Sequence, residues 1–148
     1  MGQIDHVELE VPNRYEAAHW YCSVLGFEIC REYEPWAETA GGPLMISTVE
    51  GGTKLALFEG CPQGAENPVG FRRVAFRTGA TEFLAFVQTS DAARKKNALE
   101  LSRIIDHQKS FSVYFSDLYG NRLEVTTYDY EAVRVRLESL GTDPGEDS

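Results

Sequence analysis

The chain has 148 residues, of which 43% are hydrophobic and 11% aromatic. That is enough to bury one sizeable core but too short for two independent domains of ordinary size. Its 14 Lys and Arg against 23 Asp and Glu give a net charge of −9, which disfavours binding to nucleic-acid phosphates and anionic membrane surfaces. Because no apolar stretch is long enough to cross a bilayer and no secretory signal pattern is present, the sequence predicts a cytoplasmic protein that binds neither nucleic acid nor membrane.

The first predicted element is a strand from Ile4 to Val11, in which polar and apolar residues alternate. The alternation places His6 on the polar face of this strand. Pro12 ends the strand, and Asn13 can cap an amphipathic helix that runs until Gly26.

Three strand-like runs follow the helix, and the dipeptide Gly51-Gly52 joins the last two in a predicted tight hairpin. The first module, about residues 1–60, therefore has the order β-α-β-β-β. A linker rich in Gly and Pro follows over residues 60–70. The three runs are Phe27 to Tyr33, Leu44 to Glu50 and Thr53 to Glu59.

The same order recurs over residues 71–128. The predicted elements are a strand at Arg72 to Thr78, helices at Thr81 to Gln88 and Ala92 to Lys96, and strands at Leu101 to His107, Ser110 to Ser116 and Arg122 to Tyr128. Tyr130 to Leu140 is predicted as an added C-terminal helix, and residues 141–148 as a disordered acidic tail.

The two halves match in register, since the segment at His6 resembles the segment at Arg73, and the segment at Lys54 resembles that at Arg122. We therefore predict an α+β fold: a single domain over residues 1–140, with two βαβββ modules forming a half-open, cup-shaped mixed sheet, plus the C-terminal helix. Each module can cover the apolar face of its sheet with its own helix, which leaves the polar faces to line a small-molecule site.

Strand alternation predicts which side chains face that site. His6, Ala56, Arg73 and Glu124 occupy equivalent positions of the first and last strands of the modules, and Tyr114 lies on the corresponding face of its strand. An imidazole, a carboxylate, a guanidinium and a phenol in one pocket predict a functional site. Arg73 and Glu124 also allow a simpler interpretation, an ion pair on the wall of the cup.

Four motifs of the chain are Asp5-His6-Val7-Glu8-Leu9, Trp20-Tyr21, Leu25-Gly26-Phe27 and the segment from Ser112 to Glu124. They resemble those of the glyoxalase, bleomycin-resistance and extradiol dioxygenase superfamily, also called the vicinal oxygen chelate proteins. The strand-turn-strand around Gly120-Asn121 is the most specific part of the match. Leu118 departs from it, because the family's turn usually has Pro there.

The resemblance implies one divalent metal, Fe, Mn, Ni or Zn, held inside the cup. Carried over to this chain, the ligands are His6 and Glu124. The set is incomplete, because Arg73 replaces a histidine ligand and Ala56 stands where glyoxalase I has a glutamate. Arg73 would repel the ion, although His107 or a residue of a second subunit can still supply a third ligand.

The extradiol branch of the family also has a tyrosine ten residues before the metal-binding glutamate, as Tyr114 stands to Glu124, and a histidine shortly before it. In that branch these residues bind substrate oxygens and move protons, which implies catalytic roles for Glu124, Tyr114 and His107. Arg73 and Tyr114 are candidate substrate contacts. Trp36 is a further one, either as a lid over a flat ligand or as a loop anchor.

Three functions remain open at this point. The chain can be a metal-assisted lyase, isomerase or dioxygenase of the glyoxalase type, or a metal-free protein of the bleomycin-resistance type that binds a drug or antibiotic. It can also bind a carboxylate or phosphate at Arg73 without any metal. A homodimer is expected from the resemblance alone.

Overall fold

The structure, a computed structural model, describes residues 6–60 and 73–146. It divides the chain into two units, Met1–Gly70 and Phe71–Ser148, which are described separately below. The start of the first predicted strand, the linker beyond residue 60, the predicted strand residue Arg72 and the last two residues of the tail lie outside the described residues.

The first unit has the predicted order β-α-β-β-β, with one additional short helix. In its sheet the strands are ordered β1-β4-β3-β2; β1 runs parallel to β4, and the other pairs are antiparallel. The elements are β1 (Val7–Val11), α1 (Arg14–Leu25), β2 (Phe27–Ile29), α2 (Pro35–Glu38), β3 (Leu44–Thr48) and β4 (Lys54–Glu59).

Helix α1 begins and ends where the sequence predicts. The Asn13 side chain accepts a hydrogen bond from the backbone N–H of Glu16 at 3.0 Å, which satisfies one of the free donors of the first turn. Gly26 ends the helix in the left-handed conformation, with φ of 71°. The helix packs on β2, β3 and β4 and buries Trp20 and Tyr21.

The second strand is shorter than predicted. It ends at Ile29 rather than Tyr33, and a 3-10 turn, Arg31–Tyr33, leads into α2. Arg31 stabilises this turn by an ion pair with Glu34 at 2.8 Å, and Pro35 suits the first turn of a helix, where its missing N–H costs nothing. Trp36 therefore lies in a short helix rather than in an irregular loop.

The second unit repeats the order and adds a helix and a strand at its C-terminal end. Its sheet order is β5-β8-β7-β6-β9. No helix in the described part of either unit is both long and apolar enough to cross a bilayer. The elements are β5 (Val74–Arg77), α3 (Ala80–Val87), α4 (Asp91–Lys96), β6 (Ile105–Asp106), β7 (Phe111–Ser116), β8 (Arg122–Thr127), α5 (Tyr130–Leu140) and β9 (Gly145–Glu146).

Strand β6 covers only two of the residues predicted for it over Leu101 to His107. Upstream of it, Ser102 replaces ladder pairing with its own contacts: its hydroxyl accepts the N–H of Tyr114 at 3.0 Å, and its N–H donates to the Tyr114 carbonyl at 2.9 Å. The alternating pattern indicated an extended segment, but a side-chain acceptor interrupts the regular strand.

The C-terminal segment makes backbone contacts within the second unit. The N–H of Gly145 donates to the carbonyl of Ile104 at 2.8 Å, and β9 runs parallel to β6. The predicted disordered tail, residues 141–148, thus contains a two-residue strand before its last residues pass outside the described part.

The two units share their strand register, as the sequence repeat predicts. Gly51 and Gly120 occupy the same place in the last hairpin of each unit, with φ of 69° and 88°, a conformation that glycine adopts without strain. The shared pairing joins Ala56 with Glu8 and Met45 in the first unit, and Glu124 with Ala75 and Tyr114 in the second.

The hairpin turn of the second unit is the segment with the most specific family motif. The Asp117 carboxylate is only 8% exposed and accepts the backbone N–H groups of Tyr119 and Asn121 at 2.8 and 2.9 Å, as well as the Asn121 amide at 2.7 Å. The side chain of Leu118 is exposed in this turn. Since Asp117 holds the turn through the residues that follow Leu118, a leucine is tolerated where the family usually has proline.

Candidate functional site

A cavity of about 290 Å³ lies on the polar face of the first sheet. It forms where the face of β1, β3 and β4 meets the 3-10 turn and α2, and it contains three of the residues that the sequence singles out. Its lining residues are His6, Glu8, Tyr33, Trp36, Pro43, Met45, Lys54, Ala56 and Phe58.

Two stacked aromatic rings form one wall of this cavity. The ring centroids of Tyr33 and Trp36 are 4.6 Å apart at an interplanar angle of 27°. They lie three positions apart along the helical turn, a spacing that brings side chains to one face. Trp36 keeps 49% of its surface exposed, whereas Trp20 is 3% exposed in the core. An exposed indole on a cavity wall offers a flat apolar surface to a ligand.

Polar groups lie at another part of the cavity wall. His6 Nε2 is 3.6 Å from Glu8 Oε1, and the two side chains remain 35% and 65% exposed. Lys54 adds an amine, whereas Ala56, only 1% exposed, brings no donor atom to the position where glyoxalase I has a ligand. The cavity thus combines an aromatic wall with an imidazole, a carboxylate and an ammonium group.

The second unit brings three predicted site residues together. His107 Nε2 lies 2.7 Å from the Tyr114 hydroxyl, a short hydrogen bond that fixes the phenol. The Arg73 guanidinium carbon lies 4.3 Å from the centroid of the Tyr114 ring, in cation–π geometry. The Nε atom of Arg73 is buried and has no hydrogen-bond partner among the described residues.

Glu124 belongs to a hydroxyl network on the same sheet. Its Oε1 accepts the hydroxyl of Ser112 at 2.7 Å, and that hydroxyl also lies 2.9 Å from the Thr126 hydroxyl. Within the described part of the chain no ion pair joins Glu124 to Arg73. The simple ion pair that the sequence allowed is therefore not formed among the described residues.

The donor set is incomplete for the divalent metal that the resemblance implies. Over residues 6–60 and 73–146, no three His, Cys, Asp or Glu side chains converge in a way that could hold an ion. Arg73 brings a permanent cation and Ala56 no donor at the other two ligand positions. His6 belongs to the first unit and Glu124 to the second, so their convergence stays a prediction.

The sequence did not single out several residues of these two sites. Glu8 and Lys54 follow from strand alternation, because each lies two positions from a predicted site residue, His6 or Ala56. Tyr33 was missed because it was assigned to a strand rather than to the turn before Trp36. The Ser112 network follows from the pairing of β7 with β8, which the motif alone does not show.

Solved structures similar to this chain share its fold at low sequence identity. The fosfomycin resistance protein FosX from Listeria monocytogenes has a TM-score of 0.65 and 14% identity, covering 92% of this chain and 98% of that one. A glyoxalase/dioxygenase from Nostoc punctiforme has a TM-score of 0.61 and 20% identity, covering 85% and 90%. FosX has also been solved with Mn(II) and dihydroxypropylphosphonic acid.

A third similar structure is an integron cassette protein from the metagenome of the Halifax Harbour sewage outfall. It has a TM-score of 0.62 and 19% identity, covering 86% of this chain and 99% of that one. A search of curated proteins finds no match. The family model of the Glyoxalase/Bleomycin resistance protein/Dioxygenase superfamily matches residues 3–125, which cover nearly all of both βαβββ modules. The chain therefore belongs to the Glyoxalase/Bleomycin resistance protein/Dioxygenase superfamily.

Proposed function

We propose that this chain is a small-molecule-binding protein that holds a flat, largely apolar organic compound in the cavity of the first unit without a divalent metal. The observation that carries the proposal is the exposed Trp36 ring, stacked on Tyr33 along the wall of a cavity of about 290 Å³. An indole left half-exposed beside a concavity retains apolar surface that a ligand can bury.

The size and chemistry of the cavity favour a compound with one or two rings. Its volume lies near the lower end of the range of small-molecule sites, which is roughly 300 to 1,000 Å³. Met45 and Phe58 extend the apolar surface beyond the aromatic wall. The polar groups of His6, Glu8 and Lys54 are few and placed together, which suits orientation of a ligand more than bulk affinity.

Two further observations support this proposal. The net charge of −9 attracts cationic compounds, which favours the drug-binding branch of the family over anionic metabolites at long range. The structure of FosX with a small phosphonic acid supports small-molecule binding as a use of this fold.

The test is a thermal-shift screen of aromatic and cationic compounds, run with a chelator and again with Fe, Mn, Ni or Zn. We expect compounds that raise the melting temperature equally in both series and quench the Trp36 fluorescence. Trp36→Ala should abolish the shift, while Val49→Ala, a change at another exposed apolar residue of the same unit, should leave it intact. Equal shifts in wild type and Trp36→Ala would refute binding at this cavity.

A metal-assisted lyase or dioxygenase is the second candidate. It is favoured by the imidazole of His6, which lies 3.6 Å from the carboxylate of Glu8. The same screen separates the two functions. Stabilisation that requires a divalent ion and is lost in both His6→Ala and Glu124→Gln would establish the metal-assisted function and overturn the metal-free one. The homodimer and the cytoplasmic location stay predictions, the former open to analytical ultracentrifugation.

A further inference from the structure

Arg73 stands in the second unit where the family's pattern has a metal-binding histidine. Within the described residues it contacts an aromatic ring and forms no ion pair with a carboxylate. The Arg73 guanidinium lies over the Tyr114 ring, with its central carbon 4.3 Å from the ring centroid. All the N–H groups of a guanidinium point outward in its own plane, so contact with a ring over one face does not satisfy these donors, and each still needs an acceptor.

One of those N–H groups has no acceptor within the described residues. Arg73 Nε is buried from solvent and makes no hydrogen bond there. A buried donor without a partner costs free energy, and for a charged group the cost is larger than for a neutral one. The Glu124 carboxylate, which lies opposite Ala75 in the strand pairing, accepts the Ser112 hydroxyl and forms no ion pair with Arg73 within the described residues.

From these contacts we propose that Arg73, Tyr114 and His107 form an oxyanion site, in which a carboxylate or phosphonate group of a ligand binds the guanidinium edge. Arginine donates to such groups through two parallel N–H bonds, so an oxyanion satisfies the buried Nε together with a terminal nitrogen. This site lies within the second unit and does not rest on ligand binding in the cavity of the first.

Tyr114 and His107 give the site its rigidity and its second donor. The hydrogen bond of 2.7 Å between His107 Nε2 and the Tyr114 hydroxyl holds the phenol in place and so keeps the guanidinium stacked. When His107 Nε2 carries no proton, it accepts the hydrogen bond of the Tyr114 hydroxyl, and the phenol proton points at the imidazole. When Nε2 carries a proton, it donates to the phenol oxygen, and the phenol proton can point towards the ligand.

Glu124 limits the charge of the ligand. It pairs with Tyr114 across the neighbouring strands, so its carboxylate shares the sheet face with Arg73. One cation beside one carboxylate favours a monoanion and disfavours a dianion, because the second negative charge is repelled without compensation. We therefore expect a monocarboxylate to bind more tightly than inorganic phosphate at neutral pH.

The first experiment follows the protein by NMR during titration with acetate, methylphosphonate and inorganic phosphate at low ionic strength. The arginine Nε–H resonance that disappears in Arg73→Gln should shift in wild type as each anion is added, with the lowest dissociation constant for acetate. No shift of that resonance with any of the three anions would overturn the proposal.

The second experiment compares dissociation constants of variants by titration calorimetry, with circular dichroism as the check on folding. Arg73→Gln should weaken acetate binding by at least about tenfold, as expected for loss of a charge-assisted pair. Arg73→Lys keeps the positive charge but loses the planar set of N–H donors, so its dissociation constant for acetate should lie between those of the wild type and Arg73→Gln. Arg77→Gln is the matched control, because Arg77 also stacks on a tyrosine, Tyr128 at 4.9 Å, and should leave the binding unchanged.

Glu124→Gln separates this site from a metal site. Removing the repelling carboxylate should tighten acetate binding severalfold, whereas loss of a metal ligand would lower metal uptake and leave no gain in anion affinity. Arg73→His provides the complement: it should abolish acetate binding. Acetate binding that survives in both Arg73→Gln and Arg73→His would refute the site.

Discussion

The two units repeat one backbone frame and place different chemistry on it. In the first unit the centre of the last strand carries Ala56, and the face next to it is a cavity with a stacked aromatic wall. In the second unit the same place carries Glu124, and the face is a network of hydroxyl, carboxylate, phenol and guanidinium groups. One strand register thus carries a cavity with an aromatic wall in one unit and a hydrogen-bonded polar network in the other.

The comparison shows where the frame restricts substitution and where it does not. The core sides of the strands are alike, since Leu55 and Leu123 hold equivalent places and both are 0% exposed. The opposite sides have diverged to His6 and Lys54 in the first unit and Arg73 in the second. Core packing constrains volume and polarity at every buried position, while the open face is free of that packing constraint.

The largest expected effect tests the equivalence of the two cores. Leu55→Ala and Leu123→Ala should each lower the free energy of unfolding by about 2 to 5 kcal/mol, because each leaves a cavity in a close-packed strand pair. Urea unfolding followed by circular dichroism measures both. A loss below about 1 kcal/mol in only one variant would show that the cores of the two units are not equivalent.

The last hairpin turns of the two units should differ in how much stability they lose when a side-chain acceptor is removed. Asp117→Ala removes an acceptor from two backbone N–H groups and one amide and should cost about 2 to 3 kcal/mol. The matching position in the first unit is Thr48, whose hydroxyl accepts only the N–H of Thr53, at 3.2 Å. Thr48→Val should therefore cost about 1 kcal/mol or less in the same denaturation experiment. Equal losses would contradict the difference between the turns.

The first helix of each unit is capped in a different way, and both caps should have a similar, smaller effect. Asn13 caps α1 locally, whereas α3 receives its cap from Asp129, whose Oδ2 accepts the N–H of Ala80 at 3.0 Å. Asn13→Ala and Asp129→Ala should each cost about 1 kcal/mol. Thermal melts of the two variants measure it, and Asn13→Ser should restore most of the loss at the first position. No change in Asp129→Ala would show that the distant cap does not contribute.

The smallest effect is a pH dependence specific to the second unit. The Tyr130 hydroxyl donates to Asp106 Oδ2 at 2.9 Å, and this hydrogen bond, with partial burial, raises the pKa of Tyr130 above its usual value near 10. Because the pKa of Tyr130 is raised in the folded protein, the contribution of this hydrogen bond to the free energy of unfolding is fully present below about pH 10. It is lost as the pH rises through the folded-state pKa.

Tyr130→Phe should remove this pH-dependent contribution while keeping the ring stacked on that of Phe111, with the ring centroids 4.7 Å apart in the wild type. We expect the midpoint of urea unfolding to fall less in the variant than in the wild type between about pH 8 and about pH 11. Parallel pH profiles of the two proteins would contradict the role of the Asp106 contact.

Local signals predicted the elements of the fold well wherever they did not compete with tertiary contacts. The Asn13 cap, the Gly26 stop and the C-terminal helix are confirmed. The second strand and β6 are shorter than predicted: the segment after Ile29 forms a 3-10 turn with an ion pair at Arg31, and the segment before Ile105 contacts Tyr114 through the side chain of Ser102. Alternation of polarity indicates an extended chain but does not show which acceptor an N–H group reaches.

The sequence singled out residues of the candidate site but not the contacts between them. Repetition of the βαβββ pattern and strand alternation singled out Arg73, Tyr114 and Glu124 from residue order alone. The partner of each group was left open by the sequence: whether Arg73 pairs with Glu124 or stacks on Tyr114 depends on side-chain directions across neighbouring strands. Likewise, the turn after β2 brings Tyr33 onto Trp36, which no local pattern indicated.

The sequence by itself determined the duplicated module and the faces of the strands, because these follow from periodicities of two and 3.6 residues and from turn residues that act locally. It also carries the motifs by which the chain resembles its family. Only the tertiary structure decided that the buried Arg73 donor lacks an acceptor within the described chain, and that an aromatic wall bounds the cavity of the first unit. Those properties arise from distances between segments far apart along the chain, which depend on the packing of all the elements together.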